Sequence, residues 1–315
     1  MNKEQPVLSI GIATCNHKDF IRVCVNSVFE QKTEYHFHVI IHDDASDDGT
    51  SDIVDEYVAK YPEIIQLIRP EERVGPNQTA MNIFRACKGK YVTWLDGDDY
   101  WTFPEKLDRQ IRFLEENPDY AGCFHDAEIV CTSGDSENSQ QIVRQSYKWY
   151  NQYSQFNHYR PEFFPWDLLQ RNIIPTASLV FRYKNLESFF MDFSTFGLSI
   201  SWALQLILIQ DSKFCYFNEV WSVYRDHPQG LSKKVDENPF KHTNIAMLKI
   251  IRRNRYYGKL KIHIHKTIAN EYRQILHNPK VQSLSFFRKA ATLRKFLWHQ
   301  MLNSLFETFY LMKKH

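Results

Sequence analysis

Residues 91–101 read YVTWLDGDDYW, a short apolar run that stops in an acidic turn. A continuous run of β-branched and aromatic residues, bounded by turn residues, is what a buried parallel strand requires. The same pattern occurs twice before it. Residues 7–14 (VLSIGIAT) and 37–43 (FHVIIHD) are apolar runs, and helical spacing follows them over 20–31 and 50–60. A strand over 64–68 and a helix over 77–86 lead up to the strand at 91–95. Beyond the acidic turn Pro104 opens a helix, Asn117-Pro118 closes it, and residues 121–125 form the next strand. Alternation of this length predicts an α/β fold, an open and mostly parallel sheet with helices on both faces.

The pattern then changes. Residues 132–165 are polar and aromatic and read as a long loop or insert, while 214–224 (FCYFNEVWSVY) is strand-like again. From residue 238 onward the spacing is helical, over about 239–257, 260–277 and 284–312. In the last of these, Phe286, Ala290, Leu293, Leu297, Met301 and Leu305 line one face. Charge divides in the same place: residues 1–235 carry a net −10 and residues 236–315 a net +12, within a total of +2. The expected organisation is an acidic α/β domain over 1–235 and a basic C-terminal helical region over 236–315. Lys249, Arg252, Arg253 and Arg255, then Arg288, Lys289, Arg294 and Lys295, flank the apolar stripes. A packed appendage with a solvated basic face accounts for them first, and docking on an anionic membrane second. These helices are also where an oligomer would form. Nucleic acid is not an expected partner, because its recognition modules are absent.

A hydrophobic share of 43% and a charged share of 24% exclude wholesale disorder in this 315-residue chain. Six cysteines are scattered without a C-x-x-C, which predicts reduced thiols in a cytoplasmic protein. The first residues, MNKEQ, do not form a signal peptide, and the apolar window 198–209 is too short to span a bilayer. The expected location is therefore the cytoplasm, with peripheral contact at the inner face of the membrane. No H-E-x-x-H, phosphate-binding G-x-x-x-x-G-K-S/T, G-x-G-x-x-G or G-x-S-x-G occurs. Zinc protease, P-loop, dinucleotide-binding and α/β-hydrolase readings fall away.

Three polar turns follow the predicted strands. In an open α/β sheet, ligands bind outside the carboxyl ends of the strands, which is where these turns fall. Asp96-Gly97-Asp98-Asp99 places two carboxylates one glycine apart, a spacing suited to Mg²⁺ or Mn²⁺ with positions left for diphosphate oxygens. An isolated Asp-Gly-Asp is more often a solvated cap for the next helix; its place at a strand end, followed by an aromatic pair and a proline (YWTFP), shifts the balance toward the metal. In the second turn, 43–49, Asp44 could accept the imide proton of a uracil or thymine, or the turn could simply cap a helix through Ser46 or Asp47. The third, Ala13-Thr14-Cys15-Asn16, is by itself only a strand-to-helix turn.

Taken together, the turns resemble those of the inverting GT-A glycosyltransferases of family 2. The resemblance runs through most of residues 6–232, in IATCNHKDFIRVCVNSVFEQ, VIIHDDASDDGT, GKYVTWLDGDDYW, PEKLDRQIRFLEENP and FNEVWSVYRDH. It implies a GT-A fold and a metal-dependent transfer of sugar from a nucleotide-sugar donor, UDP favoured and dTDP next. The implied acceptor is a saccharide, carried on a lipid, in surface polysaccharide synthesis. On the same resemblance Asp98 is the metal ligand, with Asp96 and Gly97 nearer the ribose. Asp44 recognises the base, and Ala13, Thr14 and Asn16 line it. Asn77 and Asn82 lie on a donor-facing helix, and His227 is a further residue at the metal or diphosphate. Where relatives often place an aromatic, this chain has Cys15.

One expected group is missing. Family members often carry an aspartate, the general base, just before a tryptophan about seventeen residues ahead of the N-E-V segment. Counting back from Asn218 reaches Ser201, followed by Trp202. A serine hydroxyl is not a base near neutral pH. Either another carboxylate such as Asp192 serves, or the chain is an impaired relative that binds donor. A nucleotidyltransferase would share the acidic sheet edge, but its Gly- and Lys/Arg-rich phosphate loop is absent from ATCNHKD.

Overall fold

A computed structural model describes residues 6–132, 142–143, 161–170, 172–184, 200–230, 237–253, 257, 260–277 and 292–302. The chain divides into two compact units, Met1–Phe163 with Ile173–Ser194 and Ser212–Lys234, and Phe164–Asn172 with Thr195–Asp211 and Val235–His315.

The first unit is built on the apolar runs. Strands β1 (Leu8–Thr14), β2 (Phe37–Asp43), β3 (Ile65–Ile68) and β4 (Tyr91–Asp96) alternate with helices α1 (Ile21–Phe29), α2 (Thr50–Lys60) and α3 (Pro76–Ala86). There follow β5 (Tyr100–Trp101), α4 (Lys106–Glu116), β6 (Tyr120–Thr132), β7 (Ile142–Val143), β8 (Glu162–Phe163), β9 (Val180–Arg182) and β10 (Lys213–Asp226). Among the described residues the strands make one sheet in the order β3-β2-β1-β4-β9-β6-β10-β5, with β7 on β6 and β8 on β10. The long registers, β1 with β2 and β4, and β6 with β10, are parallel. The antiparallel members β5, β7, β8 and β9 are two or three residues long. They are too short to show a period, and the sequence pattern does not reveal β5, β7 or β8.

Alternation along β1 explains the two covered faces. Leu8, Ile10 and Ile12 join a core with Val39 and Ile41 of β2 and with apolar residues of α1, α2 and α4. The intervening Gly11 faces the other way: a Cβ placed on it would lie 2.5 Å from Ile83 Cγ2 of α3. The helix can approach this closely only because residue 11 has no side chain. The expected α/β sheet with helices on both faces is therefore what forms.

The second unit is helical, with α5 (Pro165–Gln170), α6 (Ile200–Ile209), α7 (Glu237–Ile251), α8 (Lys261–His277) and α9, residues 292–302. Helix α6 buries residues all round, as its near-continuous apolar sequence requires. Trp202 Nε1 donates to the Leu168 carbonyl at 2.8 Å, Thr267 Oγ1 to that of Leu169 at 2.8 Å, and the Tyr257 hydroxyl to that of Leu206. Among the described residues no helix is long and apolar enough to cross a membrane. Much of the expected 132–165 insert and both flanks of α9 lie outside the described residues, as do Arg255, Arg288 and Lys289.

Among the polar residues buried in the interior is a lysine. Lys106 opens α4 with no solvent exposure, and its Nζ sits 4.2 Å above the Trp101 ring without a hydrogen-bond partner. Burial pushes this amine down to about 7. A lysine in the unfolded chain titrates near about 10.4. Between those values the unfolded chain binds the extra proton, so this residue's contribution to stability rises with pH. Buried thiols such as Cys87, pushed up to about 12, act in the opposite sense above the ordinary thiol range. The wild-type and Lys106→Met denaturation profiles isolate the lysine by difference. The difference is expected to shrink by up to about 1.4 kcal/mol per pH unit from neutral to mildly alkaline solution, with Met more stable at neutral pH. Parallel profiles would show that the amine is not held neutral by the core.

Candidate active site

The registers of β1, β2 and β4 bring the three polar turns together. Thr14 pairs with Asp43, and Ala13 pairs with both His42 and Asp96. The turns are then tied by backbone bonds: Asp44 N–H donates to the Thr14 carbonyl at 2.9 Å, and Gly97 N–H to the Ala13 carbonyl at 2.8 Å. Gly97 has no room for a side chain, since its Cβ would lie 2.7 Å from Thr14 Oγ1 and 2.8 Å from His17 Nδ1.

Asp43 organises the second turn from inside. It is fully buried, and its carboxylate accepts from Ser46 N–H and Oγ, from Ser51 Oγ and from Arg69 Nε at 2.9 Å. Asp44 beside it is 6% exposed and accepts Val74 N–H at 2.7 Å and Gly75 N–H at 2.9 Å, one on each oxygen. Each oxygen keeps a second lone pair. Ala45 and Asn16 both adopt positive φ, 49° and 58°. For alanine that is a strained conformation, held here by the bonds on either side. Asn16 clasps the opposite turn, donating Nδ2–H to Asp47 Oδ1 at 2.6 Å and accepting Asp47 N–H at 3.0 Å.

The Asp96–Asp99 turn concentrates charge. Asp98 Oδ2 lies 3.1 Å from His227 Nε2 and 3.7 Å from His17 Nε2. Burial alone would raise the Asp98 carboxyl, but the His227 hydrogen bond and the His17 charge outweigh it and hold it below the usual range. Its neighbours go the other way. Burial and then the Asp98 charge push Asp96 up to about 7, and burial with Asp98 and Asp96 carries Asp99 well above a normal carboxyl. Trp94 Nε1 donates to Asp96 Oδ1 at 2.9 Å. Arg225 closes the cluster: Nη1 donates to the Asp98 carbonyl at 2.6 Å, and its backbone N–H donates to Asp99 Oδ1 at 3.0 Å. Its guanidinium is stacked against Phe20 at 5.1 Å and Tyr100 at 4.5 Å. A cavity of about 390 Å³ lined by Cys15, Asn16, His17, Lys18, Asp48 and Gln229 lies at this edge.

The structure thus gathers Ala13, Thr14, Asn16, Asp44, Asp96, Gly97, Asp98 and His227 at one sheet edge. Asn77 is in the first turn of α3 with a buried Oδ1 that has no partner. Asn82 is occupied elsewhere, bonded to His42 Nε2 at 3.1 Å and Gln78 at 2.8 Å on the face of α3 against β2. Ser201 stands half-buried in the first turn of α6, in the second unit. Asp192 lies outside the described residues. Sequence reading does not single out His17, Asp99 or Arg225. His17 follows the Ala13–Asn16 turn directly and Arg225 sits two places before His227, so proximity to the quoted motifs was the available signal.

Among the described residues no three His, Cys, Asp or Glu form a ready-made metal cage. Asp98 is an oxygen donor of the kind a hard divalent cation uses when diphosphate oxygens complete its shell, and His227 offers a softer imidazole nitrogen beside it. Three carboxylates within four residues, Asp99 buried and Asp96 and Asp98 half-buried, also repel one another, and a cation relieves that repulsion.

The family described as Glycosyl transferase family 2 matches residues 9–185, more than half of the chain. The uncharacterized protein Rv1520 of Mycobacterium tuberculosis is 29% identical over 224 residues, 71% of this chain and 60% of Rv1520. The Escherichia coli UDP-Glc:alpha-D-GlcNAc-diphosphoundecaprenol beta-1,3-glucosyltransferase WfaP is 33% identical over 129 residues, 40% of this chain and 49% of WfaP. The chain therefore spans about half to three-fifths of the length of these relatives. Staphylococcus aureus TarS 1-349, crystallised with UDP, superposes with a TM-score of 0.59 at 16% identity, covering 93% of this chain and 80% of that one. The mannosyltransferase PcManGT of Pyrobaculum calidifontis, crystallised with GDP-Man and Mn²⁺, superposes at 0.52 and 14% identity, covering 96% and 84%. At these identities the likeness is one of fold, and the fold is GT-A.

Replacing Asp43 tests whether the site's inner frame is structural. Asp43→Asn keeps the shape but removes the charge that four donors share. It is expected to lower unfolding free energy by about 1–3 kcal/mol in denaturant titration. An unchanged midpoint would mean that the turn is held by its backbone bonds alone.

Proposed function

The chain belongs to glycosyl transferase family 2, and from that premise we propose that it moves a sugar from a UDP-sugar donor to a lipid-linked saccharide acceptor, with inversion, in surface polysaccharide synthesis. The observation that carries the proposal is the approach of His227 Nε2 (3.1 Å) and His17 Nε2 (3.7 Å) to Asp98 Oδ2, outside the carboxyl ends of β1, β2 and β4. The wording of the relatives' names supports the donor and acceptor classes: WfaP carries UDP-Glc and an undecaprenol diphosphate in its name, and TarS was crystallised with UDP.

In this reading the second lone pair on an Asp44 oxygen accepts the imide N–H of the uracil, and the Ala13–Thr14 backbone flanks the ring. Asp96 faces the ribose. Asp98 and His227 would hold Mg²⁺ or Mn²⁺, which when bound offsets charge on the departing diphosphate. Arg225, fixed by its two aromatic neighbours, steadies the backbone of the Asp98 turn. The acceptor hydroxyl oxygen forms the new bond to the anomeric carbon as the bond to the diphosphate breaks, and its proton must pass to a base.

Asp98→Asn separates these parts. In calorimetry with UDP and Mn²⁺ the variant is expected to lose more than about tenfold in affinity, and chelation of the wild type to do the same. Equal affinities with and without the carboxylate would remove Asp98 from the metal.

Ser201 favours a second form of the reading, in which donor is bound but transfer is slow. A positioned base contributes about a hundredfold or more to such a step. Ser201→Asp is then expected to raise the transfer rate by that order with UDP affinity unchanged, since the base acts on the acceptor. Ordinary turnover by the serine form, with nothing gained from aspartate, would place the base elsewhere.

A further inference from the structure

Helix α9 exposes most of its large apolar residues, while Phe296 and Leu302 are half-buried. An amphipathic helix on a globular unit turns its apolar stripe inward and its polar residues to solvent. Here the fully packed position is His299, 6% exposed, whereas Leu293 (46%), Leu297 (52%), Trp298 (56%) and Met301 (46%) face outward. Among the described residues seven large hydrophobic side chains are exposed, and these are four of them.

The orientation is pinned from the buried side. His299 Nδ1 lies 2.8 Å from His265 Nδ1, and Arg252 Nη1 lies 3.3 Å from His265 Nε2. Arginine can only donate, so His265 Nε2 is the acceptor and its proton sits on Nδ1, donated to His299. The Tyr272 ring stacks on His299 at 5.9 Å. Rolling the helix to bury its leucines would break this chain of contacts. The outward stripe is thus a fixed feature of the unit.

Beside the stripe is an open cleft of about 1020 Å³ lined by Lys249, Tyr272, Arg294, Lys295, Trp298 and His299. Its charge is set by the three cationic side chains, because burial and the neighbouring cations push both histidines down to about 4 and leave them neutral. Residues 236–315 as a whole carry +12.

We propose that α9 docks on an anionic lipid bilayer, with Leu293, Leu297, Trp298 and Met301 entering the interfacial layer and the cleft beside them receiving lipid phosphate headgroups. Charge decides between occupants. A second copy placed on the same face would bring two strongly basic regions together, which disfavours a self-complementary contact. A soluble polyanion satisfies the cations but offers the leucines nothing. A bilayer with anionic headgroups meets both needs, and tryptophan at the edge of such a stripe suits the headgroup level. The inference is independent of the sugar-transfer chemistry.

The test uses the full chain and sedimentation with phosphatidylcholine vesicles, with and without phosphatidylglycerol. Binding is expected only when phosphatidylglycerol is present, and it falls as salt is raised. Leu297→Glu with Trp298→Glu should reduce partitioning by about tenfold or more, and Arg294→Glu with Lys295→Glu should abolish the preference for anionic lipid. All six side chains in these variants and the stripe are exposed, so far-UV circular dichroism and the denaturation midpoint of each variant serve as the check that the protein is folded. Equal binding by the glutamate variants, equal binding to both vesicle types, or a dimer in sedimentation velocity that Leu297→Glu dissolves would each overturn the proposal.

Discussion

The parallel register of three strands is the constraint on which the site depends. Because Ala13 lies opposite His42 on one side and Asp96 on the other, the ends of β1, β2 and β4 stop level with one another. A slip of one residue would turn Leu8, Ile10 and Ile12 away from the core and scatter the three turns. Burial of the strands on both faces makes that slip prohibitive. The polar edge is precise because the apolar sheet beneath it is.

On that edge the protein sustains an unfavourable arrangement of charge. Asp96, Asp98 and Asp99 sit within four residues and are withdrawn from bulk water, yet their environments differ. Only Asp98 is met by imidazoles, so charge collects on the one carboxylate that faces His17 and His227. Asp99 is turned to the backbone of Arg225 and acts in the frame. The division of labour among three identical side chains comes from what each one touches.

The α/β core was legible because its signal is repeated. Runs such as VLSIGIAT and FHVIIHD read as buried strands unaided, and each is followed by the turn that the sheet edge presents. What escaped reading depends on partners distant in sequence. Arg225 is defined by Phe20 and Tyr100, and β5 by pairing with β10 across two residues. The stripe in α9 shows the opposite limit. Its spacing is plain, and spacing alone suggests a face packed inward, but the His265–His299 contact decides which side is buried. Periodicity reports that a helix has two faces and leaves their assignment to tertiary structure.

The close approach at Gly11 has an evolutionary consequence. Gly11 and Ile83 Cγ2 compete for one volume between β1 and α3, so neither position is free to vary alone. A lineage that gains a side chain at 11 must trim residue 83 or lift α3 from the sheet. Lifting α3 would carry away Val74 and Gly75, whose N–H groups hold the Asp44 carboxylate. Selection at the sheet edge therefore reaches down to a pair of residues that touch no ligand, and these two should covary as a unit across descendants of this chain.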